Sequence, residues 1–200
     1  MGRPTGLEPA TPGTTNRCSN QLSYDRHCPS SGARLPYGWG RKMARSATGR
    51  RNAMAHETLI KFGYPGTLLK EGRHWALLLR PAQPTLGSLV LCAASDARAY
   101  GDLPPQAFAE QAEFVVAAER LLRDFVAYER INYLMLMMVD PHVHFHIIPR
   151  YDGVRSFAGE DFPDAGWPGL PTLTDSRPAP SDLADELRQR LAQSEGHQGA

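Results

Sequence analysis

The stretch His142-Val143-His144-Phe145-His146-Ile147-Ile148-Pro149-Arg150 decides how the rest of the chain is read. Its three histidines alternate with Val143 and Phe145, which is the period of a β-strand, so all three imidazoles are expected on one face. Val143, Phe145 and Ile147 are then expected on the other face, against an apolar core. A lone histidine is usually a packing or surface residue. A row of them on one apolar strand is instead a rigid set of groups that titrate near neutral pH.

Working outward, Ile131 to Val139 is a continuous apolar run and reads as a central strand, interrupted by Asp140-Pro141 because proline gives the ladder no N–H. Further upstream, Thr67 to Lys70 and His74 to Leu79 flank Glu71-Gly72-Arg73, a hairpin with Gly72 in the turn. Pro81 and Pro84 end the second of these strands. Gly87 to Ala93 makes a third, almost wholly apolar and expected to be buried on both faces. Asp102 reads as an N-cap with Pro104 and Pro105 in the first turn. Behind it Phe108, Ala112, Val115, Leu122, Phe125 and Val126 recur at helical spacing through Tyr128, as a core-facing stripe. After Tyr151-Asp152-Gly153 the pattern turns irregular, a long loop anchored by Phe157, Phe162 and Trp167. Ser181 then reads as the cap of a helix with Leu183, Leu187 and Leu191 along one seam.

This order predicts an α+β fold with an antiparallel sheet of about five strands, one long helix and a C-terminal helix. The core is expected over residues 67–151, followed by the loop and helix over 152–193, with no internal repeat. A chain of 200 residues with a hydrophobic share of 42% suits one such domain, spanning 54–200, and a tail.

Residues 1–53 are that tail. They hold nine Lys/Arg against two Asp/Glu, while residues 54–200 hold thirteen against nineteen, so the net charge of +1 hides an acidic domain and a basic leader. The leader is rich in Gly, Pro, Ser, Thr and Asn without hydrophobic period, and is expected to be disordered. It lacks the interleaved aromatics of a single-strand nucleic-acid arm, and no nucleic-acid partner is expected. Residues 18–24 and 6–12 also back-translate to sequences whose complements resemble the D-arm and T-arm of a transfer RNA gene. On that reading the start is mis-assigned and Met54 is the true first residue. Cys18, Cys28 and Cys92 form no disulfide framework. No apolar run approaches the roughly 18 residues of a membrane span, and no signal-peptide centre is present. A cytoplasmic setting without membrane association is expected.

Two chemistries suit histidines on a strand. Residues i and i+4 lie about 13 Å apart, whereas two nitrogens on one zinc ion are at most about 4.2 Å apart. A metal site would therefore need donors from elsewhere, with Cys92 or Asp140 as candidates. Nucleophilic catalysis fits better: a neutral imidazole attacks phosphorus and forms a phospho-histidine that water later breaks. The middle residue, His144, is the natural nucleophile, since it alone has a histidine on each side.

The run His142-Val143-His144-Phe145-His146-Ile147-Ile148 resembles the histidine triad motif, His-φ-His-φ-His-φ-φ with φ apolar, of the HIT family of nucleotide hydrolases and transferases. Pro149-Arg150 is also a common continuation. The resemblance is closest to the diadenosine tetraphosphate hydrolase-like branch and extends more weakly from Leu68 to Tyr151. It implies a HIT-like fold, a homodimer with one continuous sheet, and cleavage at the α-phosphate of nucleotide conjugates such as dinucleoside polyphosphates. By position His144 is the nucleophile, His142 orients it, and His146 contacts the α-phosphate or leaving group. No cofactor is required in that mechanism, although Mg2+ can accompany the substrate.

Three departures from the family pattern bear on substrate. Met135 to Val139 stands where many members carry a polar, Gly-containing phosphate loop. Gly87-Ser88 replaces a common Gly-His pair, and Leu79 stands at an expected polar position of the second strand. Phosphate recognition is then expected from Arg80, Arg150 or Ser95. Asp140 lies beside the triad as a substrate-side group that only accepts hydrogen bonds when ionised. The alternatives are a nucleotide-binding module with little turnover and a metal-dependent hydrolase.

Overall fold

The structure, a computed structural model, describes residues 56–196. The expectations for the leader and for Met54 lie outside the described residues.

The described residues begin with a short helix α1 (Glu57–Lys61) and then the hairpin β1 (Leu68–Glu71) and β2 (Trp75–Leu79). The hairpin turn is tied to the long helix: the backbone N–H groups of Arg73 and His74 both donate to the Glu110 carboxylate, at 2.6 Å each. A Cβ at Gly72 would meet Glu110 Oε1 at 2.2 Å, so a side chain there would displace the carboxylate from these bonds. A two-residue strand β3 (Ala82–Gln83) precedes β4 (Leu89–Ala93), all of whose residues are buried.

The long helix α2 runs over Pro105–Val126, with Pro104 at its N-cap. Asp102 is not the cap and lies instead in a 3₁₀ turn over Tyr100–Asp102. The reason is the proline pair: Leu103, before Pro104, is held extended at ψ 141°, and Pro105 has no N–H to be capped. The helix stops at Val126 rather than Tyr128, because Ala127 adopts the left-handed conformation at φ 47°. Its buried stripe is Ala107, Phe114, Ala118, Leu121, Leu122 and Val126. Ala112 and Phe108 of the expected stripe face out, Phe108 resting edge-on against Tyr100 at 5.1 Å.

The next strand, β5 (Arg130–Leu134), is shorter than expected and sits at the sheet edge, not its centre. Pairing ends at Leu134 opposite His146, and Met135–Val139 leave the sheet, with Met138 95% exposed. Apolar composition there does not reflect burial. The histidine strand is β6 (His144–Arg150), bounded by β4 and β5, and the five-stranded antiparallel sheet has the order β1-β2-β4-β6-β5. The region expected as irregular loop contains a second hairpin, β7 (Val154–Phe157) and β8 (Glu160–Pro163), closed through Ala158 and Gly159, both with positive φ. A short β9 (Arg177–Pro178) pairs with β3, and α3 (Leu183–Gly196) buries Leu183, Leu187 and Leu191 as its seam predicts. Among the described residues no helix is long and apolar enough to cross a membrane.

Strand alternation divides the sheet into two faces. Trp75, Leu77, Leu79, Leu89, Leu91, Ala93, Val143 and Ile147 join α2 and α3 in the main core. Ala76, Leu78, Val90 and Cys92 turn the other way and pack with Leu59 and Phe62 from α1 and its end. The 151–180 excursion is pinned to the sheet by Arg150, which is 3% exposed. Its Nε and one terminal nitrogen donate to the Asp164 carboxylate at 2.6 and 3.1 Å, and the other donates to Asn132 Oδ1 at 2.9 Å.

Removing one partner of such a pair leaves an uncompensated buried charge. Asp164→Ala is expected to cost about 3–5 kcal/mol in urea unfolding. A loss below about 1 kcal/mol, the worth of an exposed pair, would contradict this account.

Candidate active site

The alternation of β6 places the imidazoles as the sequence predicts. Val143, Phe145 and Ile147 enter the main core or pack against it, and His142, His144 and His146 face the opposite side. His142 precedes the strand, its neighbour Val143 being held by a bond from Val143 N–H to the Ala97 carbonyl at 2.9 Å. All three histidines are buried, His144 completely.

His144 has a defined tautomer. Its Nδ1 lies 2.8 Å from the backbone carbonyl of His142, an acceptor only, so Nδ1 carries the proton. Nε2 is left with its lone pair, buried and without a hydrogen-bond partner. A buried polar atom without a partner costs free energy and asks for a role. The ring of His146 stands edge-on to that of His144 at 5.0 Å, and its Nδ1 is also buried without a partner. Burial above all, then the nearby His144 and Arg80, push His146 down to about 4. His146 is therefore neutral at pH 7.

The cover over this face comes from residues that the sequence reading passed over. His56 N-caps α1, stacks on His142 at 4.1 Å, and donates from Nε2 to the Ala93 carbonyl at 2.8 Å. Thr58 Oγ1 lies 3.0 Å from His142 Nδ1. Phe62 sets its ring 5.5 Å from both His144 and His146. A five-residue helix is too short to show periodicity. The one available signal was His56, Leu59 and Phe62 at intervals of three.

The expected phosphate contacts separate. Arg150 shares the triad's side of β6 but is buried and bonded to Asp164 and Asn132. Asp140 lies at the triad's edge and is paired with Lys61 at 2.7 Å. Ser95 is exposed in the turn after β4. Leu79, expected in place of a polar residue beside the site, points into the main core. Leu78 packs on the triad's side instead, and Arg80 is next along that side. Arg80 is half-buried, its terminal nitrogen donates to the Ala82 carbonyl, and its Nε has no partner. Its charge is felt at His146. Of the two arginines, Arg80 is the one whose charge is felt at His146 and whose Nε has no partner.

No protein-family model matches the sequence, and the comparison with curated proteins finds no match. Solved structures do match. A histidine triad protein from Sinorhizobium meliloti 1021 is 20% identical, with TM-score 0.55, covering 69% of this chain and 93% of that one. One from Bradyrhizobium japonicum is 19% identical, with TM-score 0.54, covering 69% and 94%. A zinc-bound histidine triad family protein from Mycobacterium smegmatis is 19% identical, with TM-score 0.51, covering 70% and 94%. The fold is that of the histidine triad proteins.

Burial of His146 and His56 sets an acid limit to stability. His146, at about 4 in the folded protein, takes up its proton in the unfolded chain first, near 6.5. Its contribution is whole above pH 6.5 and is lost as pH falls towards 4, at about 1.4 kcal/mol per pH unit for one proton. His56, lowered by burial, adds in the same direction. Urea unfolding from pH 7 to 4 should show this slope, and His146→Gln should flatten it; equal slopes would contradict the assignment.

Proposed function

We propose that the protein is a nucleotidyl hydrolase or transferase that cleaves nucleotide conjugates at the α-phosphate through His144. The observation that carries this reading is the unpartnered, buried Nε2 of His144, on a ring whose Nδ1–H donates to the His142 carbonyl.

In this reaction the Nε2 lone pair attacks phosphorus, the bond from phosphorus to the leaving group breaks, and a nucleotidyl-histidine forms. His146, neutral at pH 7, serves as an N–H donor to a phosphate oxygen or to the leaving group rather than as a cation. Water then breaks the N–P bond, releasing the nucleoside monophosphate and restoring His144. Arg80 is the residue we assign to phosphate contact, since its free Nε–H and positive charge suit an anion. The resemblance adds a homodimer with a continuous sheet, and β5, paired on one side only, offers an edge for it.

The zinc of the Mycobacterium smegmatis protein finds no matching donor set among the described residues. No group of three His, Cys, Asp or Glu is placed to hold a metal ion. The Cys92 thiol, opposite His144, is pushed up to about 12 by burial, so it is not a thiolate at neutral pH. Both ring nitrogens of His56 are engaged by Ala93 and Leu59. One observation favours a binding module with little turnover: the Phe62 ring packs against both His144 and His146.

The full-length chain and His144→Ala should be incubated with diadenosine tetraphosphate and with an adenosine phosphoramidate. The expected outcome is AMP release that resists a chelator and falls at least about a thousandfold in the variant. Equal release by the variant would refute His144 as nucleophile. Binding without release would favour the module, and chelator sensitivity the metal-dependent hydrolase.

A further inference from the structure

We propose that Thr58 is a positioning residue of the site: its hydroxyl donates to Nδ1 of His142 and fixes His142 as the tautomer protonated on Nε2. The proposal rests on the reading of His144 as nucleophile, because it concerns how that nucleophile is oriented.

Thr58 sits in the first turn of α1 and is completely buried. The hydrogen of a buried hydroxyl needs an acceptor. Among the described residues the side-chain partner of Thr58 is Nδ1 of His142, at 3.0 Å and 84 positions away in sequence. The imidazole therefore accepts at Nδ1, and its proton resides on Nε2.

The flat of the same ring is held by His56, whose plane lies 21° from that of His142 at a centroid distance of 4.1 Å. His56 is itself fixed at both nitrogens, donating from Nε2 to the Ala93 carbonyl and accepting at Nδ1 from the Leu59 N–H. Ala93 closes the circuit, because its N–H donates to the Val143 carbonyl at 2.9 Å. The His142 side chain is thus clamped on its face by one residue of α1 and at its edge by another.

The consequence reaches His144 through the backbone. The carbonyl that accepts from His144 Nδ1 belongs to His142, so its position follows from how His142 is seated. Thr58 acts through His142 and touches no substrate. Its hydroxyl keeps the nucleophile's lone pair aimed and leaves His142 with an N–H donor at Nε2.

The test begins with the wild-type full-length chain. Imidazole ¹⁵N chemical shifts should show His142 bare at Nδ1 and protonated at Nε2. Protonation at Nδ1 would overturn the proposal. In turnover of the compounds above, T58V should lower kcat about tenfold with KM nearly unchanged, the kinetic equivalent of one unpaired buried group. T58S, which restores the hydroxyl, should recover most of that loss. Wild-type kcat in T58V, or equal damage in T58S, would assign Thr58 to packing alone. If T58V fails to fold, the wild-type shifts and T58S still decide. If the wild type turns over neither compound, the hydrolase reading fails, while the His142 shifts still decide whether Thr58 sets its tautomer.

Discussion

Strand β6 is paired on both edges, and that double pairing orients His144 and His146. Toward β4 the register sets Cys92 opposite His144, Val90 opposite His146 and Leu89 opposite Ile147; toward β5 it sets Leu134 opposite His146 and Tyr133 opposite Ile147. A slip of one residue would turn the histidines into the main core and Phe145 and Ile147 out of it. Burial of an aliphatic side chain such as Ile147 is worth about 1.5–3 kcal/mol, and a slip would forfeit this while burying imidazoles without partners. Phe145 adds a wedge, tilted against Trp75 at 6.1 Å and edge-on to Tyr100 at 5.4 Å. The apolar half of the strand therefore holds the polar half in place.

That arrangement buries the imidazoles on the face opposite the main core. Burial lowers the pKa of His146 and of His56, and a nucleophilic nitrogen needs a free lone pair. His144 satisfies one nitrogen through the backbone and leaves the other bare, whereas His56 satisfies both. The two residues are of one type in one layer of the fold, yet only His144 has a lone pair to offer. Partner count separates them.

Much of this was legible in the sequence, for physical reasons that differ by element. Period-two alternation at His142 to His146 is short-range and unambiguous, so the triad's common face could be read directly. The seam of Leu183, Leu187 and Leu191 and the hairpin around Gly72 follow from equally local signals. Met135 to Val139 misled because apolar residues usually report burial, and here they lie in a loop between β5 and β6. Asp102 misled because a good capping residue loses to the fixed geometry of Pro104 and Pro105. Arg150 misled because its partner Asp164 lies 14 residues on, in a stretch without a strong pattern, and only the tertiary fold joins them. The role of α1 was invisible for the same reason: the contact of Thr58 with His142 spans 84 positions.

Helix α1 has five residues, too few to be stable from its own hydrogen bonds. It exists because Leu59 and Phe62 pack on Ala76, Leu78, Val90 and Cys92, and because the His56 side chain caps it while reaching across to β4. The Phe62 carbonyl accepts from Thr67 Oγ1 at 2.7 Å, which ties the helix end to the start of the hairpin. The dependence runs in both directions. The triad face needs α1 to satisfy Nδ1 of His142 and to cover apolar surface between the imidazoles, and α1 needs that face to be a helix at all. A segment held wholly by tertiary contacts belongs among the first parts of a domain to open. The group that seats His142 is thus carried on an element whose own order depends on the imidazoles it seats.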